Sequence, residues 1–180
     1  MADSTHPLDA DEWSRLESFL DSYLKPFTAY NNFDPAWVVL WIARTGTHPC
    51  VLAFPGKHNL RVYETPAGLT ASWDRPKKRG MNAATLVPLK DPRICSWARE
   101  FVAELYLSAP SLSTIHRAVR DVGRQAGVVL SPRCLRHTFL RWVADRTRDP
   151  TAVMALGNVS GRVAMAYTMR ARVEEYRAAL

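Results

Sequence analysis

The stretch LSPRCLRHTF, residues 130–139, does most to define the fold of this 180-residue chain. It contains a Ser-Pro pair that is typical of a helix start, because a Ser hydroxyl caps backbone N–H groups and Pro fits the first turn. Arg133 and Arg136 lie three residues apart and therefore share one face of that helix. Apolar residues take the opposite side. The pattern predicts a packed helix with two guanidinium groups near its N-terminus, an arrangement suited to binding one phosphate.

A second motif lies at a fixed distance downstream. Leu156-Gly157-Asn158 stands at the end of a short predicted helix, and Tyr167 stands nine residues after Asn158. Taken alone, Tyr167 is as well explained as an ordinary amphipathic aromatic near the C-terminus. Its position relative to Leu156-Gly157 favours a functional role.

The rest of the chain predicts helices on either side of a small sheet. Asp9 and Glu12 form a capping-box pattern at the first helix, which Pro26 should end. Helical patterns cover residues 9–26, 34–46, 91–107, 111–125, 131–145, 149–157 and 169–179. Short strand patterns cover residues 61–63, 69–73 and 85–87. The predicted fold class is α+β, mostly helical with a small three-stranded antiparallel sheet.

Composition excludes several classes of protein. With 47% apolar and 23% charged residues, the chain is globular rather than disordered. It has no apolar run near the roughly 18 residues of a membrane span, and its N-terminus lacks a signal-peptide pattern. Three scattered cysteines without CxxC spacing indicate neither a zinc site nor a disulfide framework. We therefore expect a reduced cytoplasmic protein.

The charge is unevenly distributed. The chain carries a net charge of +7, with 19 Arg and only 5 Lys, yet residues 1–22 hold six acids against one Arg. Arg matches phosphate oxygens in a bidentate way, so the basic body suggests a polyanion such as nucleic acid. A solvated basic surface explains the charge equally well. The acidic first helix is expected to lie away from any DNA.

Together these motifs resemble the tyrosine recombinase (phage integrase) family. The family box runs Pro-His-x-Leu-Arg-His-Thr-Phe, then Leu-Gly-His, then a Tyr nine residues later. The chain matches it at residues 135–139, at Leu156-Gly157 and at Tyr167. Upstream, Thr45-Gly46, a basic segment at 73–80 and Val-Pro-Leu at 87–89 follow the family order. The resemblance spans about residues 9–180 and implies the catalytic fold of that family.

The resemblance implies an enzyme that cuts and rejoins DNA with no metal and no other cofactor, through a 3′-phosphotyrosyl intermediate. Tyr167 would be the nucleophile and Arg136 a phosphate clamp, because fixed cations stabilise the charge that builds on phosphoryl oxygens. Lys77 would donate a proton to the 5′-oxygen. Lys78 is its rival, since strand alternation turns the two to opposite faces. Integration or site-specific recombination for a virus or mobile element is the implied role.

Three positions depart from the family pattern. His48 stands where the family has its first Arg, with Arg44 one turn earlier as an alternative cation. Arg133 replaces the first His of the box and can bind phosphate, but it is a poor base. Asn158 replaces the later His and can donate a hydrogen bond without carrying a proton. Two interpretations stay open: an active recombinase, or a degenerate relative that binds DNA as a regulator or accessory protein.

Further residues are candidates for contact with DNA. Arg75, Lys78 and Arg79 form a basic hairpin beside Trp73, although such a hairpin is equally a solvated tip. Arg162 is a further cation between Asn158 and Tyr167. His137, next to Arg136, is expected mainly to support the structure around the site.

Recombinases of this family usually clamp DNA with two domains, and only the second pattern is visible here. We expect a flexible N-terminus over residues 1–8, a catalytic-type domain over residues 9–180 and no preceding core-binding domain. Such a chain is a fragment or a stand-alone protein. Its expected partner is double-stranded DNA, bound in a salt-dependent way at the nucleoid. The C-terminal helix, with an apolar stripe of Val173, Tyr176 and Leu180, is expected to dock onto a second copy or to pack in cis.

Overall fold

The computed structural model describes residues 6–24, 34–66, 68–74 and 84–179. The elements in chain order are α1 (Ala10–Tyr23), α2 (Pro35–Thr45), α3 (Pro49–Ala53), β1 (Arg61–Thr65), β2 (Gly68–Trp73), β3 (Thr85–Pro88), α4 (Pro92–Cys95), α5 (Ala98–Leu107), α6 (Leu112–Gln125), α7 (Pro132–Thr147), α8 (Pro150–Gly157) and α9 (Gly161–Ala179). The strands form one antiparallel sheet in the order β1-β2-β3, with Thr70 paired to both Tyr63 and Pro88. The predicted α+β class is confirmed.

Side-chain caps start the helices where the sequence predicts them. A carboxylate oxygen of Asp9 accepts the Glu12 backbone N–H at 2.8 Å, and the Glu12 carboxylate accepts the Asp9 N–H at 3.1 Å. Helices α2, α7 and α8 each begin with a side chain that accepts a backbone N–H and is followed by Pro: Asp34, Ser131 and Asp149. Each such cap contributes about 1 kcal/mol. The local sequence therefore sets where these helices begin.

Helix α2 runs through the centre of the core. All its residues except Pro35 and Arg44 are buried, and it packs against α6 and α7. It ends at Gly46, whose φ of +65° favours glycine. A Cβ at Gly46 would also collide with the ring of Phe139 on α7. This close approach brings the end of α2 directly against the N-terminal half of α7.

The single helix predicted over residues 91–107 is wrong. The structure has α4 and α5 instead, separated at Ser96 and Trp97. Trp97 leaves helical geometry, and its ring packs on Trp37 and Phe101 with centroid distances of 4.0 and 4.9 Å. Burial of a large aromatic ring therefore outweighs the continuous helical pattern.

The last helix begins at Gly161 and not at residue 169 as predicted. Its first turns are packed, because Ala164 lies in the core and the Thr168 hydroxyl donates to the Ala164 carbonyl at 3.2 Å. Tyr167 therefore lies inside α9, whereas the prediction put it before the helix. The sequence also missed α3, which is too short to show a helical period.

Two predictions concern residues at the edge of what the structure describes. Helix α1 ends at Tyr23, three residues before Pro26, which itself lies outside the described residues. Also outside them are the four cations of the predicted basic hairpin, Arg75, Lys77, Lys78 and Arg79. Among the described helices, none is long and apolar enough to cross a membrane.

Candidate active site

Arg136 joins the three helix ends on which the site is built. Its side chain projects from the second turn of α7 and donates one hydrogen bond to the Gly46 carbonyl and another to the Gly157 carbonyl. Those carbonyls belong to the ends of α2 and α8, where helix dipoles favour a cation. Burial lowers the pKa of Arg136, and Tyr167 and Cys50 nearby oppose that shift when ionised. The group nevertheless stays a cation, because guanidinium does not titrate near neutral pH.

Tyr167 lies against the same turn of α7. Its hydroxyl is in hydrogen-bond contact with Nδ1 of His137, and the two rings have centroids 5.9 Å apart. Tyr167 is half-buried and packs on the core. Burial raises its pKa, while the charges of Arg136, Arg133 and Arg170 pull the pKa back down. The candidate nucleophile and the candidate phosphate clamp therefore share one electrostatic environment.

Arg133 completes the cluster on the exposed side. Its Nε donates to Nε2 of His137 at 3.3 Å, across one turn of α7. Burial lowers the pKa of His137, and the charges of Arg133 and Arg136 lower it further. His137 is therefore neutral near pH 7 and lies between a cation and a phenol.

His48 lies at a helix start close to this cluster. It caps α3, where its Nδ1 accepts the Cys50 backbone N–H at 3.3 Å and lies 3.0 Å from the Cys50 sulfur. Because Nδ1 accepts, a neutral His48 carries its proton on Nε2. The residue is exposed and follows Gly46, the partner of Arg136, by two positions.

Asn158 ends helix α8 at the other side of Arg136. It adopts a left-handed conformation with φ +51°, which Asn tolerates better than most residues. Its preceding residue, Gly157, supplies the carbonyl that Arg136 contacts. Asn158 thus terminates the helix beside the cluster, and it is half-buried.

Arg44 does not join the cluster. Its guanidinium forms ion pairs with Glu17 and Asp91, both at 2.9 Å, and lies 4.8 Å from the Trp13 ring centroid. Arg93 binds the same two carboxylates. The use of Arg44 as a substitute phosphate ligand is therefore not supported, because its charge is already neutralised between α1, α2 and α4.

The remaining predicted DNA contacts are divided between described and undescribed residues. Arg162 is exposed in the first turn of α9. Lys77, Arg75, Lys78 and Arg79 fall outside the described residues, so their arrangement stays a prediction.

Sequence reasoning underrated His137. We expected a supporting residue, and the structure puts its ring in contact with both Arg133 and Tyr167. The available signal was the spacing of Arg133 and His137, which is one helical turn. The contact between His137 and Tyr167 could not be predicted from the sequence, because it depends on how α9 packs on α7.

No family model and no curated protein sequence matches the chain. Solved protein structures, in contrast, do match the chain. XerH site-specific recombinase bound to palindromic difH substrate, a post-cleavage complex, matches 97% of this chain at 18% identity with a TM-score of 0.70. The pre-cleavage complex of XerH with difH substrate matches 93% at 19% identity and a TM-score of 0.66. XerA recombinase matches 96% at 21% identity and a TM-score of 0.66.

The chain spans 52%, 51% and 64% of the length of the matched chains in those three structures, respectively. At such identities the likeness concerns the fold. It agrees with the helix order and with the small antiparallel sheet described above. The chain has the catalytic fold of the tyrosine recombinases.

Proposed function

We propose that residues 9–180 form the catalytic domain of a site-specific DNA recombinase that acts through a 3′-phosphotyrosyl intermediate. The observation that carries the proposal is the cluster of Arg133, Arg136, His137 and Tyr167 at the junction of α7 and α9. It combines a candidate nucleophile with two cations in a chain whose fold is similar to that of site-specific recombinases.

In this mechanism the oxygen of Tyr167 attacks the scissile phosphorus. The bond from phosphorus to the 5′-oxygen breaks, and the leaving oxygen takes up a proton. Arg133 and Arg136 stabilise the charge that accumulates on the phosphoryl oxygens, which is the largest electrostatic demand of the reaction. The exposed His48 adds a hydrogen bond to the same phosphate, and Asn158 adds another from the end of α8. The covalent link conserves the phosphodiester energy for rejoining.

Lys77 is the proposed donor of the proton to the 5′-oxygen, with Lys78 as the alternative. Support for this assignment comes from the sequence, in which both precede β3 within a basic segment. Tyr167→Phe and Lys77→Ala should differ in effect. Loss of the nucleophile abolishes attack, whereas loss of the acid is relieved by a leaving group that needs no proton.

Double-stranded DNA is the proposed substrate. The chain carries a net charge of +7, and the acids of α1 are partly neutralised within the protein, since Glu17 and Asp21 pair with Arg93. Arg162 and two cations of the basic segment at 73–80, Arg75 and Arg79, are proposed contacts with the DNA backbone. Since each phosphate contact releases counterions, binding should weaken steeply with salt.

Assembly on DNA through α9 is a further part of this proposal. Met165, Met169 and Val173 recur every four residues and are exposed, so one face of α9 is apolar. Such a stripe at helical spacing is suited to packing against another protein surface. Sedimentation of the protein with and without duplex DNA would measure whether a second copy joins.

A second candidate function is binding without cleavage. It is favoured by Asn158 and Arg133, neither of which can accept a proton, and by the engagement of Arg136 with two backbone carbonyls. On this alternative the chain is an accessory DNA-binding protein.

A suicide substrate separates the two candidates. A pool of nicked duplexes with randomised sequence around the nick is incubated with the protein, and DNA covalently attached to protein is recovered. The recombinase proposal expects an adduct with the wild type and with Tyr63→Phe, a control at an exposed tyrosine in β1, and none with Tyr167→Phe. Retention of DNA without any adduct supports the accessory role.

A further inference from the structure

Hydrogen bonds connect three side chains, from an exposed cation to the candidate nucleophile. Arg133 on α7 is exposed, and its Nε donates to Nε2 of His137 at 3.3 Å. The other ring nitrogen of His137, Nδ1, contacts the hydroxyl of Tyr167 on α9. One imidazole therefore connects a cation to a phenol.

The cation determines which nitrogen of His137 carries the proton. Every nitrogen of a guanidinium donates and none accepts, so the Nε2 facing Arg133 must offer its lone pair. Burial and the charges of Arg133 and Arg136 lower the pKa of His137, which keeps the ring neutral near pH 7. Its single proton is then on Nδ1, and the Tyr167 oxygen is the acceptor. In this arrangement His137 has no free nitrogen for the tyrosine proton.

Among the described residues, the other groups around Tyr167 offer no route for that proton. Arg133 and Arg136 face it from α7 and Arg170 from its own helix, and all three are cations; Cys50 of α3 lies beside Arg136. These charges favour a phenolate but cannot accept its proton. Within the described part of the chain, the base in hydrogen-bond contact with the Tyr167 hydroxyl is His137.

We propose that Arg133 holds His137 in the tautomer that cannot accept the proton of Tyr167, and that a bound phosphate removes this constraint. We call this contact of Arg133 with His137 the latch. This inference rests on the proposed function. The guanidinium of Arg133 can donate either to a phosphate oxygen or to the neutral imidazole of His137. The bond to phosphate is the stronger one, because both of its partners are charged. Arg133 is exposed, so a phosphate can reach it. When it turns to the phosphate, Nε2 of His137 is left without a donor.

The released ring can then act as a base. Water delivers a proton to Nε2 and removes the one on Nδ1, so the ring stays neutral and Nδ1 gains a lone pair. The O–H bond of Tyr167 breaks, an N–H bond forms at Nδ1, and the products are a phenolate and an imidazolium. No other reactant is needed. Activation of Tyr167 is therefore coupled to the presence of the phosphate that it attacks.

Nitrogen-15 NMR of the histidine rings tests the latch without any cleavage, since the two neutral tautomers give different spectra. We expect His137 of the free wild type to be mainly the Nδ1–H form. Arg133→Met, which keeps the chain length and removes the donors, should make Nε2–H the main form. Titration of the wild type with inorganic phosphate should move the spectrum in the same direction. Arg120→Met, the same change at an exposed position of α6, should leave His137 as in the wild type.

The latch is overturned if free wild-type His137 is mainly the Nε2–H form, or if neither Arg133→Met nor phosphate changes its tautomer. The phosphate titration also covers the case in which Arg133→Met does not fold. If the latch does not exist but the protein is a recombinase, the covalent adduct with DNA still forms. If the protein is not a recombinase, no adduct forms, and the tautomer of His137 can still be measured. The two results are therefore distinguishable.

Discussion

The guanidinium of Arg136 donates a hydrogen bond to the carbonyl oxygen of Gly157, which joins the start of α7 to the end of α8. A second bond to the Gly46 carbonyl adds the end of α2. Three segments that are distant in sequence thus meet at one side chain. The same side chain is the proposed phosphate clamp, so the proposed chemical role falls on a residue that also holds the helix ends together.

Arg136→Met should destabilise the protein by about 2 kcal/mol, because it leaves two inward carbonyls without their charged donor. Urea unfolding followed by circular dichroism would measure the change. Arg120→Met should stay within about 0.5 kcal/mol of the wild type, as is usual for an exposed position. Equal effects of the two substitutions would show that Arg136 does not hold the helix ends together.

Gly46→Ala should cost about 2 kcal/mol of unfolding free energy, since the new methyl group meets Phe139 and the backbone has a φ of +65°. Gly127→Ala is the matched control, because Gly127 has nearly the same φ, +66°, but a new Cβ there would meet only the end of the Arg15 side chain, at 3.8 Å. Since the backbone strain is the same at both positions, the difference in stability measures the clash. A Gly46 variant no less stable than the Gly127 variant would contradict the close approach of α2 and α7.

Asp91→Asn should lower stability at pH 7 by about 2 kcal/mol and have little effect at low pH. Burial alone would raise the pKa of Asp91, but its bonds to Arg93 and the charge of Arg44 outweigh burial and hold that pKa below its ordinary value. A carboxylate with a depressed pKa stabilises the fold above the unfolded pKa of about 4 and loses that effect as pH falls through the folded value. Chemical unfolding at several pH values measures this. A pH-independent deficit would argue against the ion pairs.

Tyr167 should ionise above the ordinary tyrosine pKa of about 10 in the free protein, because burial outweighs the surrounding cations. Arg170→Met should raise that pKa further by removing one of those cations. Difference absorbance between the wild type and Tyr167→Phe during alkaline titration isolates this residue. A Tyr167 that ionises below pH 10 would mean that the cations dominate.

Arg162→Gln should weaken binding to a duplex of arbitrary sequence and reduce the slope of log affinity against log salt by about 1, as expected for one lost phosphate contact. Fluorescence anisotropy at several salt concentrations gives the slope. Arg120→Gln serves as the control. An unchanged slope would remove Arg162 from the proposed contacts.

Much of the fold was predictable because its signals are local. The helix starts at Asp9, Asp34 and Ser131 and the three short strands were all confirmed. Where prediction failed, distant packing decided the outcome. Trp97 interrupts a helical pattern to bury its ring, and Ala164 extends the last helix by packing on the core.

Candidate site residues could be selected from the sequence, but their contacts could not be predicted from it. Arg133, Arg136 and Tyr167 were selected from spacing and resemblance, and the structure brings them into one cluster with His137. The pairing of Arg44 with Glu17 and Asp91 could not be foreseen, because those partners lie 27 and 47 residues away in sequence. Long-range ion pairs leave no periodic signal.

The most direct test of the central claim is to identify the residue that becomes attached to DNA. After incubation with the nicked pool, nuclease and trypsin digestion followed by mass spectrometry would locate the remaining nucleotide. The account predicts a nucleotide on Tyr167, in the tryptic peptide over residues 163–170. A nucleotide attached to any other residue, or no attached nucleotide on protein that binds the pool, would contradict it.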